Sequence, residues 1–185
     1  MQGNSMDKEK IFEFVYLMAF RDATMRRAFP KKTEESEEEY KNRKNNSFLK
    51  AKGPARKFID KLLAGSDDIE PETYMLEICR AVKTYGFTFG NAQKLINMLS
   101  KYMYIICYED ETKRKLFKNC HCPMDGGMIS LLSKDKSFHV PPEFSWSRMN
   151  TTDNTIPLEY KAFQKKISEK CNDDMYAIEY DYNNW

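Results

Sequence analysis

Residues 86–125 read GFTFGNAQKLINMLSKYMYIICYEDETKRKLFKNCHCPMD, and this stretch decides the fold. From Asn91 to Cys107 the pattern is helical and nearly apolar all round, through Leu95, Ile96, Met98, Leu99, Tyr102, Met103, Ile105 and Ile106. A helix that leaves no clear face for water crosses a core. It makes the natural centre of a small all-α domain. Ahead of it Gly86 and Gly90 bound a short turn, and behind it a charged connection from Glu109 to Lys118 leads to Cys122-Pro123-Met124-Asp125. There a carboxylate follows closely on a proline-stiffened turn.

Lys94 interrupts the apolar run about one turn into the helix. The unpaired N–H groups of a first turn set up a positive potential that disfavours a further cation. An amine that is neutral part of the time can act as a nucleophile. The structural alternative is a lysine that lays its stem over apolar neighbours and keeps its head in water.

These residues resemble the helix-hairpin-helix DNA glycosylase superfamily, whose members join two helices by a Gly-containing hairpin. The resemblance implies that Lys94 is the nucleophile that attacks the sugar and that Pro123-Met124-Asp125 supplies the assisting carboxylate. It also implies that Gly86 and Gly90 bound a DNA-binding hairpin. The separation of 31 positions between Lys94 and Asp125 looks most like the archaeal 8-oxoguanine branch. The likeness covers about the central third of the chain. It departs from the family in its Gly-Phe-Thr-Phe-Gly hairpin, in Met124 where valine is usual, and in Gly126-Gly127 after the carboxylate. It further implies that Gln93, beside the nucleophile, reads a base edge and that Trp146 forms part of a stacking wall. A capping or solvent-facing glutamine and an aromatic closing the core edge are the structural alternatives.

Composition fits one mainly α domain over residues 6–185. The chain has 185 residues, 14% of them aromatic, with 11 methionines and only 7 glycines. That supplies ample core and favours helix over sheet. Met1–Ser5 reads as a vector-derived leader before a native start at Met6. A net charge of +2 gives little long-range pull on nucleic acid. Local patches are the remaining electrostatic route: Lys50, Lys52, Arg56, Lys57 and Lys61 form one, with Lys52, Arg56 and Lys57 the candidate DNA contacts, and Lys113, Arg114, Lys115 and Lys118 form another. A solvated helix face is the plain alternative for both.

Five cysteines without a secretory signal point to reduced thiols in a cytoplasmic protein. Cys120-His121-Cys122 packs its ligands too closely for a usual zinc spacing, so no metal and no cofactor are expected. No apolar run is long enough to cross a membrane.

Taken in order, the chain predicts a first helix from Asp7 to about Phe29, with Ile11, Phe14, Val15 and Met18 inward, Arg21, Arg26 and Arg27 near its end, and Pro30 as its stop. A charged loop entering a solvent-facing helix is predicted for Lys31–Lys44, and a helix for Ser47–Leu63 that Pro54 divides or starts. The next helix runs from Pro71 to about Tyr85, with Gly86 as its left-handed cap. After Asp125 come a short helix at Gly127–Leu132, an irregular segment through Pro141, Pro142 and Trp146, and a last helix after Pro157. The tail from Asn172 to Trp185 alternates as a short strand or extended segment would. The leading expectation is a monomeric base-excision DNA glycosylase with lyase activity on damaged double-stranded DNA. The alternative is a non-enzymatic helical interaction or nucleic-acid-binding module.

Overall fold

The computed structural model describes residues 7–25, 27–135, 137–171 and 175–184, so Met1–Ser5, Arg26 and Trp185 lie outside the described residues. Within them the chain is mainly α, with eight α-helices and no strand. The apolar run folds as α4 (Phe89–Ile106). Its start is fixed by a reciprocal cap: the Thr88 hydroxyl accepts from the Asn91 N–H at 3.1 Å, and the Asn91 carboxamide accepts from the Thr88 N–H at 3.0 Å. Every residue from Phe89 to Lys101 is buried.

Around α4 lie α1 (Lys8–Ala23), α3 (Pro71–Ala81), the C-terminal α8 (Ala177–Asn183) and a 3-10 turn at Trp146–Arg148. A long outer helix, α2 (Glu37–Leu63), packs on α3, and α7 (Leu158–Lys170) on α8. Two short helices, α5 (Glu111–Arg114) and α6 (Gly126–Leu132), flank the segment that carries Asp125. The helix, hairpin, helix unit is present: α3 ends at Ala81, a 3-10 turn follows at Lys83–Tyr85, and Gly86 turns the chain at φ +70° before Thr88 caps α4.

Three elements differ from expectation. α1 stops at Ala23 because Thr24 caps it, its hydroxyl donating to the Phe20 carbonyl at 2.6 Å. Its inward face is Phe12, Val15, Tyr16, Ala19 and Phe20, which leaves Phe14 63% exposed. α2 starts ten residues earlier than Ser47 and passes through Pro54 unbroken. Ser36 and Glu39 close a capping box, three glutamates sit in the first turn where the helix dipole favours them, and the carbonyl that Pro54 deprives of a donor belongs to exposed Lys50. The tail is the helix α8, in which Ile178 and Asp181 point inward and Glu179 caps the Tyr176 N–H. Inward positions three apart are helical spacing, which overrides the alternating look of the sequence.

Candidate active site

The core helix is not apolar all round. Gln93, Lys94, Asn97, Ser100 and Lys101 are buried and recur at the three- and four-residue steps of one helix face. Polar groups removed from water need partners, and most of this seam has them, the buried Asn97 Oδ1 being an exception.

Lys94 Nζ lies 2.5 Å from Asp125 Oδ2, with the lysine side chain 7% exposed and the carboxylate 28%. Asp125 is also the N-cap of α6, its Oδ1 accepting the Met128 N–H at 3.0 Å. One oxygen therefore fixes the carboxylate and the other meets the amine. Burial raises the affinity of this carboxyl for protons, but the Lys94 charge, its hydrogen bond and the α6 amides outweigh that and hold it below the usual carboxylate range. Beside it Gly126 and Gly127 are exposed, and a Cβ on Gly126 would meet nothing within 4 Å, so an open edge beside the carboxylate is bare backbone.

A second pair stands two turns along the same face. Lys101 Nζ is 2.6 Å from Asp181 Oδ2 of α8, with side chains 2% and 5% exposed. Burial raises the Asp181 carboxyl, and the Lys101 and Lys94 charges offset only part of that rise. Cys122 sits in the field of all four charges, and burial above all pushes its thiol far up. Sequence reasoning missed Lys101 and Asp181. The seven-residue step from Lys94 to Lys101 was readable, but nothing local marks Asp181 as facing inward.

The segment before Asp125 is held by main-chain hydrogen bonds. Gln93 donates to the Met124 carbonyl at 2.8 Å and accepts the Met124 N–H at 3.1 Å. Gln164 of α7 treats Cys122 in the same way, donating to its carbonyl at 2.7 Å and accepting its N–H at 3.2 Å. Asn97 donates to the Gln93 oxygen at 3.1 Å and to the Tyr160 hydroxyl at 2.9 Å, and that hydroxyl lies 3.0 Å from His121 Nδ1. Gln93 is thus a buried brace for this segment, its oxygen accepting two N–H groups and its amino group donating to the Met124 carbonyl, and not the capping or solvent-facing side chain of the structural alternative.

The other predicted positions are distributed as follows. Gly86 is exposed at the hairpin turn. Gly90 lies inside the first turn of α4 with its N–H donated to the Met149 carbonyl at 3.0 Å, so its amide is not free for a phosphate; a Cβ there would collide with the Trp146 carbonyl. Trp146 is half-buried and meets Gly90 through its backbone. Four cations of the basic patch on α2 face carboxylates: Lys52 pairs with Glu13 at 2.5 Å, Arg56 with Glu9 at 2.6 Å and Asp60 at 3.0 Å, Lys57 with Glu77 at 3.8 Å, and Lys61 with Asp68 at 3.1 Å. Acidic residues on α1 and α3, distant in sequence, cancel the charge that the run of cations suggested. Lys113, Lys115 and Lys118 likewise face Asp110, Glu111 and Asp67.

All five cysteines are free thiols, and burial pushes Cys120 up to about 12. Among the described residues no three His, Cys, Asp or Glu side chains converge as a metal site, and no helix is long and apolar enough to cross a membrane. A groove of about 880 Å³ is lined by Glu72, His121, Gln164, Cys171 and Tyr176, among others, and not by Lys94 or Asp125. Comparison with protein families, with curated proteins and with solved structures finds no match to this chain.

Proposed function

We propose that the protein is a base-excision DNA glycosylase with associated strand-cleaving lyase activity, acting on a damaged base such as 8-oxoguanine, with Lys94 as nucleophile and Asp125 as its carboxylate partner. One observation carries the reading: an amine and a carboxylate 31 positions apart in sequence meet at 2.5 Å, where the amine is buried and the carboxylate keeps one edge in solvent. A purely structural pair is a weak source of stability, because desolvating two charges offsets most of their attraction. Reactive pairs have a reason to accept that cost.

In the proposed reaction the damaged nucleotide leaves the duplex stack and enters by the open edge beside Gly126 and Gly127. Asp125 takes a proton from the Lys94 ammonium. The neutral amine attacks C1′ of the sugar, and the base departs with the electron pair of its glycosidic bond. The departing base takes up the proton held by Asp125, the carboxylate so regenerated stabilises positive charge on the sugar, the ring opens to an imine on Lys94, and loss of a C2′ proton lets β-elimination expel the 3′ phosphate. Unpaired cysteines fit a reducing cytoplasmic setting.

Sodium borohydride with duplex DNA containing an oxidised purine tests the reading by reducing the imine to a stable crosslink. Wild type is expected to give a crosslinked species that maps to Lys94 and is absent in Lys94→Gln. Trapping undiminished in Lys94→Gln, or none with wild type across a panel of lesions, leaves the helical interaction module as the better account.

A further inference from the structure

Two glutamines from different helices grip alternate residues of one extended segment, each with a reciprocal pair of hydrogen bonds to a main-chain N–H and carbonyl. That is the bonding a neighbouring β-strand would provide, here supplied by side chains at Cys122 and Met124. Asp125 follows immediately, and its separation from Lys94 depends on where this segment lies. We propose that Gln164 is a positioning residue for the Lys94–Asp125 centre: with Gln93 it forms a two-point clamp that sets the distance between carboxylate and amine. The inference rests on the function proposed above for its kinetic consequence, but not for its structural one.

The two halves of the clamp have different origins. Gln93 shares α4 with Lys94, so its grip on Met124 refers the segment directly to the helix that holds the amine. Gln164 belongs to α7, which packs against α8, the helix that holds Asp181. Through it, the placement of Asp125 is tied to the C-terminal part of the fold as well as to the core helix. Asn97 strengthens the join, since its amide reaches both the Gln93 oxygen and the hydroxyl of Tyr160 on α7. Gln164 is itself only half-buried, so it can be replaced without opening the core.

The experiment compares wild type, Gln164→Leu and Gln164→Glu in the full chain, with folding checked by circular dichroism and thermal melting. The leucine removes both hydrogen bonds. The glutamate loses its donor when ionised and regains an O–H donor when protonated, so it should recover as pH falls. The first readout is the titration of the Asp125 carboxyl followed by carbon-detected nuclear magnetic resonance, which needs no DNA. Gln164→Leu is expected to move it upward toward the ordinary carboxylate value, because the amine no longer sits against it. An unmoved titration in a folded Gln164→Leu overturns the clamp.

The second readout is the single-turnover rate of borohydride trapping. A displacement of about 1 Å in a reacting group can cost up to a hundredfold, so a ten- to hundredfold lower rate is expected for Gln164→Leu, with KM little changed. Gln164→Glu should be similarly slow at neutral pH and recover toward wild type in acid, relative to wild type at the same pH. A carboxyl titration that moves without any trapping by wild type removes the glycosylase reading and leaves the clamp standing. Trapping by wild type that Gln164→Leu leaves unchanged overturns the clamp alone.

Discussion

Asp125→Asn isolates charge from shape at the centre of the proposed site. The asparagine keeps an oxygen for the Met128 N–H, and Asn caps helices about as well as Asp, so α6 retains its start. The variant loses the negative charge opposite Lys94, whose side chain is 7% exposed, and with it the acceptor for the ammonium, since the amide NH2 takes the place of Oδ2. Removing one member of a buried pair costs roughly 3–5 kcal/mol, since it strands the other charge away from water. Asp125 is itself 28% exposed, which places this case at the lower end. A loss of about 3 kcal/mol is therefore expected at pH 7, which lowers the melting temperature of a domain this size by about 6–12 °C.

The pH dependence has a definite sign. The Asp125 carboxyl is depressed in the folded chain, so its contribution is full above the ordinary carboxylate pKa and disappears as pH falls through the lowered value. The gap between wild type and Asp125→Asn should hold at neutral pH and close in acid. Urea denaturation at several pH values between 7 and 3 measures it. A variant within about 0.5 kcal/mol of wild type at pH 7, which is the usual range for a neutral surface substitution, or a gap that does not narrow in acid, refutes the argument from a buried charge pair.

Gly90→Ala drives a Cβ into the Trp146 backbone and is expected to lose about 1–3 kcal/mol or more, read from thermal melts. Replacing Lys101 by Met alone should destabilise by about 3 kcal/mol or more, while the double change Lys101→Met with Asp181→Leu recovers most of it in denaturant titrations. Neutralising Lys52 and Lys57 together should leave the salt dependence of DNA affinity unchanged, because each already faces a carboxylate; a slope reduced by about one per residue would show that they contact phosphate.

The helices and the hairpin were legible because each leaves a local mark, an apolar run or a glycine cap, whereas the pairing of Lys94 with Asp125 was only implied by the resemblance, because no local feature joins positions 31 apart. Partnerships were less legible. Lys52, Arg56 and Lys57 look like a basic patch in sequence, yet Glu9, Glu13 and Glu77, which cancel them, lie on other helices. Gln93 looked free to read a base because its engagement with Met124 is a contact across 31 positions. Asp181 was hidden for the same reason. The alternating tail suggested a strand, but packing of Ile178 and Asp181 against the core decided for helix, as tertiary burial often overrides local pattern.

Both ammonium groups of the seam ride on one stiff rod, α4, about 10.5 Å apart along its axis at 1.5 Å per residue. Neither can be withdrawn or advanced alone. A small roll of that rod would uncouple Asp125 and Asp181 in the same movement, whereas a shift of α8 would release only the latter. The two contacts therefore part together if the rod turns and one at a time if the terminal helix lifts.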